Sequence, residues 1–341
     1  LAPARRTAWA TLLSDDAADP ERFGRWLEAL GVMRWSLVQA HGGPSAAERP
    51  FIVLCDRARA PGWALSALAR LGLLPAPVDS LAAPELPGPQ LRKDLSQGWL
   101  RLHLWRFEEF ERIVYIDADC LIVGSLEPLF ALPQAVHLAA AALGPPHLQN
   151  LNSGVMALVP SSTVFFAMAH ALADGSLHAH PEFKRGGLLD QAWLDLFFRW
   201  QSSLPRGGYV LWETLRDAGA AEPAADGVCP PMPDARPPST LAQVPLGGIP
   251  GGGRLPLGVC LLDAGFNFIV SFPAANWGDD LGAASAFAPG RQVRVMHWAG
   301  DVWKPWYRAA GRPWASSVAD DVWWAARAAA LPGRGTDGAG A

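Results

Sequence analysis

Short, continuous apolar runs alternate along this chain with stretches in which apolar residues recur every third or fourth position. The runs read as strands buried on both faces, the periodic stretches as helices. Residues 8–13 form a first strand, ended by the polar turn Ser14-Asp15-Asp16, and a helix follows over about 20–39 with Phe23, Trp26, Leu27 and Leu30 on its apolar face. Residues 50–55 are a second strand, 61–71 a helix stopped at Gly72, and 76–78 a short third strand. Asp94 and Gln97 have the spacing of a capping box for a helix carrying Leu100, His103, Leu104 and Phe107, which delivers the chain into the run Ile113-Val114-Tyr115-Ile116. Further strands are predicted over 136–142, 155–159, 260–262 and 293–297, and helices over 162–173 and 190–200. Asn152-Ser153-Gly154 reads as the lead into the strand 155–159. Strands alternating with helices predict βαβ units, hence an α/β fold on a mostly parallel central sheet flanked by helices.

Two carboxylates follow the run at 113–116 at once, Asp117 and Asp119. Ligands of such sheets sit beyond the carboxyl ends of the strands. Residues i and i+2 of an extended segment face the same side, so both carboxylates can address one point. Hard oxygen donors suit Mg²⁺ or Mn²⁺, and a metal holding a phosphate-bearing substrate is the first reading. An apolar strand followed by DxD also resembles the nucleophile motif of haloacid-dehalogenase-like phosphatases, although here about 110 residues with their own βα units precede it. The late segment His297-Trp298-Ala299-Gly300-Asp301-Val302-Trp303-Lys304 favours the first reading. An imidazole at a strand end can complete a metal site made by two carboxylates, Gly300 allows close backbone approach, and Lys304 is a compact cation suited to phosphate.

Composition narrows the partners. With 28 basic and 32 acidic residues the net charge is −4, and no Lys/Arg-rich run suggests nucleic acid. Cys55, Cys120, Cys229 and Cys260 lie far apart, without the spacing of a zinc site or a disulfide framework. No apolar run reaches the length of a membrane span. The start at Leu1 rather than Met is read as the mark of a processed or trimmed product. The Pro- and Gly-dense stretch at about 218–258 reads as a surface insertion, and the Gly-rich end as a disordered tail.

Taken in order, Thr11-Leu12, Leu100-Arg101-Leu102-His103-Leu104-Trp105, Tyr115-Ile116-Asp117-Ala118-Asp119, Asn152-Ser153-Gly154-Val155, Asp190-Gln191 and His297 through Gly300 to Lys304-Pro305-Trp306 resemble the glycogenin-like family 8 of glycosyltransferases. The resemblance spans roughly residues 7–307 and implies a GT-A nucleotide-sugar fold, with 7–310 as a single domain and 311–341 as a helical, then disordered, tail. It implies Mn²⁺, or Mg²⁺, held by Asp117, Asp119 and His297. The implied donor is UDP-glucose or another UDP-sugar, and the implied transfer retains the anomeric configuration, by front-face attack or through a covalent intermediate with Asp190. Carried over residue by residue, Arg101 meets the donor phosphate or sugar. Asn152, Asp190 and Gln191 meet sugar hydroxyls, and Gly300 and Lys304 hold the diphosphate. Thr11, Leu12, Ala118, Ser153 and Gly154 complete the donor site. Asp190, Lys304 and Arg101 are the expected catalytic residues.

Two departures stand out. Glycogenin-type enzymes stack uracil on an aromatic residue shortly after the first strand; the matching place here is near Ala18, with Phe23 as a substitute. They also glucosylate their own tyrosine, and the matching segment Phe266-Asn267-Phe268-Ile269-Val270-Ser271-Phe272 has none. An acceptor in trans, a carbohydrate, polyol or protein, is therefore expected, as in the galactinol-synthase-like or xylan-glucuronosyl branches. A homodimer is carried as an option, as are cytoplasm and Golgi lumen as compartments. The rival of the same fold is a catalytically weak nucleotide-sugar-binding scaffold of a polysaccharide-synthesis complex.

Overall fold

The computed structural model describes residues 6–13, 19–42, 48–82, 93–142, 151–175, 177–179, 183, 189–201, 210–211, 258–262, 264–270, 293–299, 304–306 and 318–331. The expected insertion at 218–258, apart from Gly258, lies outside them, as do Ala18, Gly300, Tyr209, Tyr307, Cys229 and the Gly-rich end.

The strands are β1 (Thr7–Leu13), β2 (Phe51–Asp56), β3 (Leu74–Val78), β4 (Arg112–Ile116), β5 (Cys120–Ile122), β6 (Val136–Ala142), β7 (Leu151–Leu158), β8 (Val210–Leu211), β9 (Gly258–Leu262), β10 (Phe268–Ile269) and β11 (Val295–His297). The α-helices are α1 (Pro20–Ala40), α2 (Gly62–Arg70), α3 (Glu127–Phe130), α4 (Ser162–Asp174), α5 (Leu189–Gln201) and α6 (Val318–Ala330). Eight strands form one sheet in the order β3-β2-β1-β4-β7-β6-β9-β8, with β7 antiparallel to both its neighbours and every other pair parallel. A small sheet, β10-β11-β5, lies beside it.

The apolar runs bury both faces of the large sheet because successive side chains alternate. Ala8, Ala10, Leu12, Ile113, Tyr115 and Met156 join α4, α5 and the segment 93–106 on one side. Trp9, Leu13, Val114, Ile116 and Val155 join α1, α2 and α3 on the other. The stretch set apart in the sequence as a tail contributes α6, which packs on α1 in a third cluster with Leu121, Met296, Trp298 and Trp306. At the sheet's end, β3 carries Pro75 and Pro77 and pairs in parallel with β2.

Two elements differ from expectation in ways that matter for the site. Asn152-Ser153-Gly154 lies within β7 rather than ahead of it. The helix expected near 94–107 runs as 3₁₀ turns from Lys93 to Arg106. Three residues per turn eclipse positions i and i+3, so Gly98 and Arg101 share one row, and both meet the same partner on α5.

Candidate active site

β4 ends at Ile116, and the register that pairs Ala10 with Tyr115 sets the end of β1 beside it. Asp117 leaves this edge with its N–H donating to the Gly154 carbonyl at 2.8 Å. Its Oδ1 accepts from the Tyr115 hydroxyl at 2.5 Å and faces Arg101 Nη2 at 3.5 Å. Burial, together with this carboxylate, holds the Tyr115 hydroxyl well above its usual range, so it remains a donor.

Asp119 and His297 are joined by strand pairing. β5 runs antiparallel to β11 with Cys120 opposite His297, and Trp298 N–H donates to the Asp119 carbonyl at 3.1 Å. His297 Nε2 then lies 3.2 Å from Asp119 Oδ1 and 3.7 Å from Asp117 Oδ2. A chain of hydrogen bonds sets the ring's tautomer. The Gly154 N–H, necessarily a donor, reaches Asn152 Oδ1 at 2.8 Å. Asn267 Nδ2 donates to that same oxygen at 2.6 Å. Asn267 is thereby oriented, and its Oδ1 accepts from His297 Nδ1–H at 2.9 Å. The proton is on Nδ1, and the Nε2 lone pair points at the carboxylates. Gly154 is needed here for space: a Cβ would lie 2.6 Å from His297 Cε1.

Lys304 closes the cluster. Its ammonium pairs with Asp119 Oδ2 and donates to the Trp298 carbonyl at 2.6 Å. Burial alone would raise the Asp119 carboxyl, but the adjacent Lys304 ammonium pulls it back, and the group sits well below the usual carboxylate range.

On the other side, Arg101 Nη1 donates to Ser153 Oγ at 2.6 Å, and its Nε lies 3.0 Å from Asp190 Oδ2. This last contact lacks the alignment of a hydrogen bond and is ionic. Burial works against the guanidinium, and Asp190, Asp117 and Asp119 more than restore its charge. For Asp190, burial is the larger influence and raises its carboxyl against the pull of Arg101. Both sit tightly because Gly98 has no side chain: a Cβ there would lie 2.8 Å from Asp190 Cγ. Gln191 Oε1 accepts from Ser153 N–H at 3.2 Å, tying α5 to β7.

The structure thus gathers Arg101, Asp117, Asp119, Asn152, Ser153, Gly154, Asp190, Gln191, His297 and Lys304. Leu12 and Ala118 are buried among apolar side chains, and Thr11 is fully buried in β1. Phe23 is also buried, edge-on against Trp63 at 5.1 Å, rather than presenting a free ring. Asn267 and Trp298 were missed in sequence. Both lie inside segments singled out in the sequence but carry no spacing signal of their own, since their roles depend on strand register.

Carboxylate and imidazole donors with one oriented lone pair fit a hard divalent cation. Among the described residues, the ligand atoms of Asp119, Cys120 and His297 lie within 4.8 Å of one another. Burial keeps the Cys120 thiol far above its ordinary range, hence protonated and a poor ligand. Asp117 is the better third donor, although its carboxylate is engaged by Tyr115 and Arg101.

The sequence model of glycosyl transferase family 8 matches residues 93–155. A glycogenin of Neurospora crassa is 40% identical over 77 residues, 23% of this chain and 11% of that protein. UDP-glucuronate:xylan alpha-glucuronosyltransferase 1 of Arabidopsis thaliana is 28% identical over 120 residues, 35% of this chain and 16% of that protein. The chain therefore spans less than a fifth of the length of either relative. A crystal structure of the galactosyltransferase LgtC with donor and acceptor sugar analogues superposes with a TM-score of 0.55 at 15% identity, over 94% of this chain and 95% of the other. Apo GlyE of Streptococcus pneumoniae TIGR4 gives 0.53 at 14% identity, over 95% and 60%. The fold is GT-A, as the resemblance implied.

Proposed function

We propose, from the premise that residues 93–155 of this chain are a glycosyltransferase family 8 segment, that the protein is a retaining hexosyltransferase moving a sugar from a UDP-sugar to an acceptor in trans. We take residues 7–310 as its catalytic domain. UDP-glucose is the preferred donor. The observation that carries this reading is Asp119 held between His297 and Lys304 at the sheet's carboxyl edge.

Breaking a glycosyl–phosphate bond leaves new negative charge on UDP. A buried ammonium at Lys304 stabilises that charge more in the transition state than in the ground state. Mn²⁺ or Mg²⁺ held by Asp117, Asp119 and His297 would supply further charge neutralisation at the diphosphate. Arg101, kept charged among carboxylates, orients the donor. Asn152, Gln191 and Asp190 are the hydrogen-bonding groups for sugar hydroxyls. A carboxylate ion-paired to a buried guanidinium is a weak nucleophile, which favours front-face attack over a covalent bond to Asp190. Tyr115 is fully buried and takes no part as an acceptor.

The test is UDP release on incubation with Mn²⁺ and a panel of UDP-sugars that includes UDP-glucose and UDP-glucuronate. Turnover that needs the cation and vanishes in Asp119→Ala and His297→Ala is expected. Tight UDP binding without turnover on any donor would leave only the scaffold reading. Cation-dependent turnover surviving either substitution would sink the ligand set.

A further inference from the structure

We propose that α6 braces the catalytic edge, and that Asp320 is a positioning residue for Lys304, acting through Trp298. Trp298 is the junction. Its N–H donates to the Asp119 carbonyl at 3.1 Å and its C=O accepts from Lys304 Nζ at 2.6 Å. Its indole Nε1–H donates to Asp320 Oδ1 at 2.8 Å, on the first turn of α6. One residue thus links a carboxylate of the site, the ammonium and the C-terminal helix.

The link matters because of what lysine is. Its head is a compact charge on a flexible stem, so shape alone does not place it and its acceptors do. One acceptor, the Trp298 carbonyl, moves with the Trp298 backbone. The other neighbour of Lys304 is held by the same helix, since the ring of Trp306 lies 5.4 Å from that of Trp323 and 5.1 Å from that of Trp26. Trp26 in turn lies beneath the Lys304 ammonium at 5.4 Å. Arg327 pins α6 to α1 through Glu28 at 2.6 Å.

Packing alone does not require this arrangement. Trp9, Trp105 and Trp193 are equally buried, and their indole N–H groups have no acceptor among the described residues. The fold leaves those unmatched and gives Trp298 a buried carboxylate, a stronger acceptor than a neutral one. Asp321 offers the same favourable charge to the helix N-terminus, so that role does not account for the bond from Trp298 to Asp320.

The proposal rests on the glycosyltransferase reading for its kinetic consequence but not for its structural one, and the experiment separates the two. Native protein without donor is acylated at its lysines, and the rate at Lys304 is read by mass spectrometry against Lys93 and Lys184. Trp298→Phe keeps an aromatic ring, smaller than the indole, and removes the N–H, Asp320→Ala removes the acceptor, and Asp320→Asn retains an oxygen. In Trp298→Phe and Asp320→Ala, Lys304 is expected to lose its protection and the KM for the UDP-sugar to rise about tenfold, as when a supporting contact behind a ligand is removed. Asp320→Asn is expected to restore most of both. Should Asp320→Ala fail to fold, Trp298→Phe against Asp320→Asn carries the comparison. Wild-type protection and wild-type KM in Trp298→Phe overturn the proposal, as does equal loss in Asp320→Asn and Asp320→Ala. A wild-type protein that turns over no donor fails the functional reading alone, and the acylation result still decides the brace.

Discussion

Asn267→Ala tests the tautomer argument most directly. In the native site the Gly154 N–H fixes Asn152 Oδ1, which fixes the Asn267 amide, which takes the His297 Nδ1 proton at 2.9 Å. Alanine leaves Asn152 with its backbone donor but strands Nδ1–H in the interior. An orphaned buried donor costs about 1–3 kcal/mol. The ring avoids that cost by moving its proton to Nε2, where Asp119 Oδ1 at 3.2 Å accepts it. The lone pair that faced the carboxylates is then lost. Removing such a supporting partner lowers metal affinity about 10- to 100-fold, or about 1.4–2.7 kcal/mol. Mn²⁺ titration followed by electron paramagnetic resonance of the free ion reads this without any turnover. Asn267→Asp is the contrast. A carboxylate still accepts from Nδ1–H, though it repels Asn152 Oδ1, so affinity should stay within a few-fold while stability falls. Wild-type Mn²⁺ affinity in Asn267→Ala would refute the reasoning.

Three other outcomes follow from the geometry. Gly98→Ala sets a Cβ 2.8 Å from Asp190 Cγ, and overpacking of this kind costs about 1–3 kcal/mol; thermal melts and donor kinetics should both suffer, and unchanged kinetics would remove Asp190 from the site. Asp119→Asn leaves the Lys304 ammonium buried without its counter-charge, a loss of about 3–5 kcal/mol, and adding Lys304→Met should recover part of it; strictly additive urea denaturation energies would deny the coupling. Burial lowers the proton affinities of His103 and His178 when folded, so the unfolded chain takes up protons first. Their contribution is present above about pH 6.5 and lost as pH falls below it. Melts at pH 5.5 and 7.5 should show that loss, and His178→Phe should reduce it.

The sheet was legible because strands buried on both faces are written as unbroken apolar runs, and β1, β4 and β6 stand close to where those runs lie. Asp117, Asp119 and His297 were legible because a strand end is where such chemistry belongs, and Lys304 because it is a compact cation in the segment that follows His297. The 3₁₀ form of 93–106 was not, since apolar residues three and four apart fit either helix. Asn152-Ser153-Gly154 looks like a turn by composition, yet it is β7 backbone, with the Asn152 Oδ1 accepting from the neighbouring Gly154 N–H. Asn267 and Asp320 were illegible for one reason: each acts on a residue that only tertiary register brings near, His297 in one case and Trp298 in the other.

The prolines of β3 bear on how this protein can meet other chains. With no N–H at positions 75 and 77, the bonds to β2 must use the amides of Leu74, Ala76 and Val78, so the prolines fall where the outer rim would donate. An incoming strand would find no donors there, and the Pro77 carbonyl already accepts from Arg57 Nη2 at 2.7 Å. Among the described residues β3 is the outermost strand on that side, so the missing donors there are a matter of covalent structure, and raising ionic strength should not supply them.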